Sequence, residues 1–251
     1  MSGKRARSER RSVSNEDPGT RHARAALASA EQILALDLTS VPCARLTQVI
    51  VGWMRAAFEQ SRVIANLALA GLSHAAAPNR RAFIEITTRI QWLHSIPADE
   101  RARVVETLIE EDRVQTRKAA RHLSDMGYDS PVDLSDMESM ILDAHTNGPH
   151  HQQAQQFLAA VRALQGQAAG LYYAWREDTQ YTHATSVVAV AHAPEREGLL
   201  ATARPRVPDP DLETHRLVTA LIVTLVARML MDVGVDPDRA TVVMNAFFVS
   251  A

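Results

Sequence analysis

The chain has 251 residues, with 27 Lys and Arg against 29 Asp and Glu, so its formal charge of −2 supplies no net field for gathering a polyanion. A hydrophobic share of 46% is enough for a real core, whereas Gly (10), Pro (11) and aromatics (5%) are too sparse for a sandwich or barrel. Alanine abounds, and an all-α multi-helix bundle is expected.

Residues 1–20 are polar and carry Lys4, Arg5, Arg7, Arg10 and Arg11 without an apolar block, so they read as a disordered basic arm and not as a signal peptide. Residues 21–251 read as a single all-α domain. The first helix is expected over residues 21–36, closed by the turn at Thr39, Ser40, Val41 and Pro42. The single cysteine, Cys43, excludes an internal disulfide and a CxxC zinc knuckle and points to a reducing, cytoplasmic setting. Residues 45–72 carry too many apolar positions for a narrow stripe, Val49, Trp53, Met54, Ile64 and Leu67 among them, so this helix is placed at the centre of the bundle.

After an Ala-rich turn around Pro78, residues 80–93 set Phe83, Ile86, Ile90 and Leu93 on one helical face, with Arg81 and Glu85 spaced to pair. Pro97 is read as starting a charge-laced helix that runs to Met126 and stops at Gly127. Asp133 or Ser135 is a cap for a short helix through Ala144, and Asn147, Gly148 and Pro149 break it, which makes residues 145–150 a candidate hinge. Polar residues 150–156 lead into a helix around Phe157, Val161 and Leu164, and Gly170 marks a kink before a helix over residues 171–191. Residues 193–212, holding Pro194, Pro205, Pro208 and Pro210, are expected to be loop, followed by closing helices over residues 211–233 and 237–249. The most apolar run, residues 217–227, is too short to span a bilayer and is followed by Arg228 and Asp232, so no membrane insertion is expected.

Neither GxGxxG nor GxxxxGK[ST] occurs, and there is no GxSxG elbow, so no nucleotide cofactor is expected. His145, His150 and His151, with Asp143 as the one close acid, read as a polar loop and not as a metal site. Removing Lys4 and Lys118 from the 27 basic residues leaves 25 arginines, spread along the chain and interleaved with acids in the manner of a compositional bias and not of a phosphate-binding cluster.

The stretch richest in chemistry is residues 171–183. On a continuous helix Arg176 and His183, seven positions apart, would share one face roughly 10 Å from each other. An arginine fork there would hold a phosphodiester, and an imidazole would exchange protons with the ribose hydroxyl or the leaving oxygen, with no metal required. Glu177 and Tyr173 are the supporting groups.

An Arg, six residues beginning with the polar Glu177, and a His, set among helices over roughly residues 45–192, resemble the HEPN superfamily of all-helical domains. The resemblance implies an RNA-cleaving site at Arg176 and His183, a homodimer in which the motifs of two subunits meet, and a toxin or anti-phage role with RNA and an antitoxin or regulatory protein as partners. Arg89 with His94 and Arg117 with His122 also fit the spacing, and random placement of these residue types gives roughly three matches. Only Arg176 and His183 would be co-facial with an acid directly after the arginine. The leading expectation is a metal-independent endoribonuclease. The alternatives are a non-enzymatic interaction or regulatory module using residues 217–230 as a dimer or partner seam, and a small-ligand sensor with a pocket lined by Trp53, Trp92 and Trp175.

Overall fold

Asp17 sets the start of the first helix: its carboxylate accepts the Thr20 amide at 3.0 Å and Pro18 occupies the first turn, where a missing N–H costs nothing. The computed structural model of the chain describes residues 17–128, 133–201, 205 and 207–249, and the expected basic arm through residue 16 lies outside the described residues. Helix α1 (Pro18–Ala35) therefore claims residues 18–20, which the composition had placed in the arm, and it buries Ala23, Ala26, Ala30 and Ile33 on one face. Helix α2 (Arg45–Leu69) runs through the middle of the molecule as expected, with Ile50, Met54, Ala57, Phe58 and Ile64 fully buried.

Helix α3 (Ala77–Ser95) begins earlier than its apolar face suggests, because Pro78 sits in its first turn and starts it. Phe83, Ile90 and Leu93 point into the core, and Thr87 and Thr88 return their hydroxyls to the carbonyls of Phe83 and Ile84, which satisfies them without partners elsewhere. Pro97 makes a turn instead of a helix, and α4 (Arg101–Asp125) starts four residues later. Its end is the expected one: Gly127 is at φ 81°, and the amides of Gly127 and Tyr128 close on Ser124 and Leu123.

Helix α5 (Ser135–Ser139) has Leu134 at its N-cap, with the Asp133 carboxylate just before it accepting the Ser135 amide at 2.9 Å, and it stops well short of Ala144. The chain then lies extended along α4, held by Arg45 on the Ile141 carbonyl (3.0 Å) and by the His145 amide on Thr107 (2.8 Å). Asn147, Gly148 and Pro149 begin a helix instead of breaking one: α6 (Gly148–Gln155) carries the proline in its first turn. After α7 (Phe157–Ala163) the bend lies at Gln165 and Gly166, both at positive φ, and not at Gly170.

Two helices replace the expected single one over residues 171–191, α8 (Ala169–Thr182) and α9 (Ser186–His192). The Pro-rich segment contains a two-residue hairpin, β1 (Glu195–Arg196) against β2 (Leu199–Leu200), turned by Glu197 and Gly198 at positive φ; residues 202–204 and 206 of that segment lie outside the described residues. Helix α10 (Leu212–Asp232) is capped by Asp211, and α11 (Pro237–Ala240) and α12 (Val242–Val249) close the chain. The molecule is thus an all-α multi-helix bundle with one buried cluster running from Ala23 to Phe247.

Helix α10 corrects two expectations. Its 21 residues are long and apolar enough, by composition, to cross a membrane, but half of its most apolar window is buried inside the fold. Ile222, Val223, Val226, Met229 and Leu230 face the core, so the apolar seam expected over residues 217–230 is largely consumed within the chain, and of its large apolar side chains Leu217 is the one that stands well clear, 69% exposed. Asp232, at the end of this helix, pairs with the buried Arg101, whose guanidinium also donates to the carbonyls of His94 and Ile96 (2.8 and 2.9 Å) and so satisfies the end of α3. A lysine supplies one point charge where this fork serves three acceptors. Arg101→Lys is expected to cost about 2 kcal/mol of stability, read by urea unfolding.

Candidate functional site

Helix α8 presents two faces. Leu171, Tyr172, Ala174 and Trp175 pack against the core and Asp178 is buried, whereas Gly170, Tyr173, Arg176 and Glu177 are exposed. The inner face is bolted to α3, with which it runs antiparallel. Arg80 grips both oxygens of Asp178, Nε reaching Oδ1 at 3.0 Å and Oδ2 at 3.2 Å and Nη2 reaching Oδ1 at 2.5 Å, and its Nη1 donates to the Pro208 carbonyl at 3.0 Å. One turn of α3 further on, Glu85 accepts the indole N–H of Trp175 at 3.1 Å, while Arg81 donates to Thr179 at 3.2 Å and lies 5.0 Å from the centre of the Trp175 ring. The expected Arg81–Glu85 pair does not form, because both side chains reach across to α8 instead of along α3.

Burial pushes the Asp178 carboxyl above its ordinary range, and the bonds from Arg80 act against that rise. The pair has side chains only 12% and 5% exposed. Beside it, a cavity of about 240 Å³ is bounded by Arg80, Glu177, Asp178, Pro208 and His215. His215 is buried, bonded through Nε2 to Ser61 at 2.8 Å and packed with its ring 4.2 Å from that of Phe83; burial lowers its pKa from 6.5 to about 4, so it is neutral at physiological pH.

The outer face carries the residues singled out from the sequence. Tyr173 is 72% exposed, Arg176 lies one turn later with Glu177 beside it, and Glu177 also borders the cavity over Asp178. His183 is not on the helix. It is the C-cap of α8, with φ −115° and ψ 161°, so the seven-residue rotation that would align it with Arg176 stops one residue early. Threonines cause this. Thr179 and Thr182 return hydroxyls to the carbonyls of Trp175 and Thr179, and Thr185 binds the Gln180 carbonyl at 2.6 Å while accepting the Val188 amide as the cap of α9. His183 is thereby held exposed in the turn between two helices. A depression of about 560 Å³, bounded by Tyr181, Val187, Val190 and Pro194, opens beside that turn.

Three Arg–His pairs fit the motif in the sequence, two with four residues between and Arg176–His183 with six, and the structure separates them. Arg89 is committed to the carbonyls of Gln153 and Ala154 at 2.6 and 3.1 Å, and Arg117 to Glu138 at 2.9 Å. Arg176 makes no ion pair or hydrogen bond with another side chain among the described residues, and neither does the ring of His183. The pair is therefore the one of the three whose guanidinium and imidazole both face solvent unengaged.

The histidines near residue 150 are not in a loop: His150 and His151 lie in the first turns of α6, and only His145 precedes it. His150 contacts Glu100 at 3.3 Å, its ring lies 5.4 Å from that of His145, and among the described residues no group of three or more His, Cys, Asp or Glu side chains is placed to hold a metal ion. Of the three tryptophans expected to line one pocket, Trp53 lines a cavity of about 470 Å³ between α2, α3, α4 and α6, whereas Trp92 is fully buried and Trp175 is stacked by Arg81. The residues that sequence reasoning missed are Arg80, Asp178, Ser61 and His215. No family model matches the chain, and no curated protein or solved structure matches it.

Proposed function

We propose that the exposed face of α8 and the turn after it form the site of a metal-independent endoribonuclease of the toxin or defence type, acting in the cytoplasm as a homodimer. The observation that carries this reading is the unengaged state of Arg176 and His183, in a chain whose other two Arg–His spacings spend their guanidiniums on backbone or carboxylate. Tyr173, one turn before Arg176, offers a ring for a base to stack on. The Arg176 guanidinium holds the phosphate and the charge that grows on its oxygens. The 2′-hydroxyl gives up its proton and attacks the neighbouring phosphorus, and the bond to the 5′-oxygen breaks as that oxygen gains a proton; His183 carries one of the two transfers and solvent water the other, leaving a 2′,3′-cyclic phosphate and a 5′-hydroxyl. Glu177, exposed at the next position, is the acidic group of the site and leaves the arginine free to take the phosphate. The helix break places His183 on a turn, where its ring can swing toward a bound linkage.

The test is incubation of purified protein with single-stranded RNA in excess chelator, beside Arg176→Ala and His183→Ala. The wild type is expected to release cyclic-phosphate ends, and each variant to lose about 10²-fold in rate. Intact RNA, or equal cleavage by all three proteins, removes the enzyme reading.

A further inference from the structure

The cavity of about 470 Å³ lies on the far side of α3 from Asp178 and is not used by the proposed reaction. Its floor is apolar, built from Val49, Ile86, Leu108 and Ile109, with Trp53 as a wall. Around that floor stand Arg81, Glu85 and Arg89 at successive turns of α3, facing Glu111 and Asp112 on α4. Two guanidiniums and three carboxylates thus share one cleft, and no ion pair forms among them.

The three groups on α3 stay apart because they are fastened elsewhere. Arg81 is held by Thr179 and the Trp175 ring, Glu85 by the Trp175 indole, and Arg89 by the carbonyls of Gln153 and Ala154 with its guanidinium 5.4 Å from the centre of the Trp92 ring. Glu85 and Asp112 are nonetheless close enough to Arg89 to oppose the lowering of its pKa by burial. The result is a set of fixed opposite charges that the protein itself leaves unpaired over an apolar surface, which is the preorganisation a ligand would otherwise have to supply. Three carboxylates against two guanidiniums repel a phosphate chain, so this is not an extension of an RNA surface.

We infer that this cleft binds a small zwitterion with an apolar body, of the α-amino-acid class: Arg81 takes the carboxylate, Glu85 and Asp112 take the ammonium, and the floor takes the side chain. Arg81 and Glu85 are one helical turn apart, about 6 Å between their β-carbons, which suits two charges borne on a single carbon. A ligand with one charge leaves the opposite half of the set unpaired in a partly dehydrated cleft and gains less.

The experiment is isothermal titration of the full chain with L-phenylalanine, phenethylamine and 3-phenylpropionate, three probes with the same ring and different charges. Phenylalanine is expected to bind at least about tenfold more tightly than either singly charged analogue. Arg81→Met is expected to bring phenylalanine down to the affinity of phenethylamine and leave phenethylamine itself unchanged, while Arg176→Ala leaves phenylalanine binding intact, which separates this site from the proposed nuclease face. The wild-type comparison needs no variant, so a fold defect in Arg81→Met, detected by circular dichroism, does not decide the matter. No binding by any probe, equal binding by all three, or unchanged phenylalanine affinity in a folded Arg81→Met overturns the inference.

Discussion

Replacing Asp178 by alanine is expected to lower the unfolding free energy by about 3–5 kcal/mol, a large share of the ~5–15 kcal/mol that holds a domain folded. The substitution removes the acceptor of two guanidinium bonds and leaves Arg80, whose side chain is 12% exposed, as a buried cation with only the Pro208 carbonyl to receive it. The pair itself is expected to contribute little net stability. Burial already pushes the Asp178 carboxyl upward against the pull of Arg80, which is the signature of desolvation outweighing attraction. The double variant Arg80→Met with Asp178→Leu, which fills the same space without charge, is therefore expected to recover most of the loss. Guanidinium chloride unfolding of the wild type, the single variant and the double variant checks both statements. A single-variant loss below about 1 kcal/mol would show that water reaches the pair and relieves it.

The second large effect is a pH dependence carried by His215. Its folded pKa is lowered by burial from 6.5 to about 4. Above pH 6.5 the imidazole is neutral in folded and unfolded chains alike and costs nothing. Between 6.5 and about 4 the unfolded chain takes up a proton that the folded chain refuses, so stability falls as the pH falls; below about 4 both forms are protonated and the loss is complete. The shift corresponds to about 3 kcal/mol. Urea unfolding across pH 4–7 is expected to show this decline in the wild type and a flatter profile in His215→Gln, whose amide keeps a partner for Ser61 without titrating. Parallel profiles for the two proteins would mean that the ring is solvated and its charge tolerated.

What could be read from the sequence was set by local periodicity. The buried face of Phe83, Ile90 and Leu93, the central place of residues 45–69 and the stop at Gly127 each follow from spacing or from one special residue, and each is found. The errors cluster where one residue type has two roles. Pro78 and Pro149 read in the sequence as punctuation between helices and instead start them, since a first-turn proline and a turn proline look alike without the cap geometry. The break after Thr182 was less legible still, because it depends on four threonine and backbone bonds competing with the helix. The spacing from Arg176 to His183 therefore leads to two side chains that are both exposed, while the shared helical face that motivated them does not exist. Arg80 and Asp178, and Ser61 and His215, could not be found by spacing at all, since each pair is brought together only by the packing of separate helices.

That separation has a kinetic meaning. The Arg80–Asp178 clasp joins positions 98 apart, and the Ser61–His215 clasp joins positions 154 apart. Closing either from an open chain gives up the freedom of a long loop before any bond is gained. Both clasps are therefore expected to form after the helices have condensed, as latches on an assembled topology and not as its nucleus, so that damage to them should hasten opening of the native chain while leaving the speed of its collapse nearly untouched.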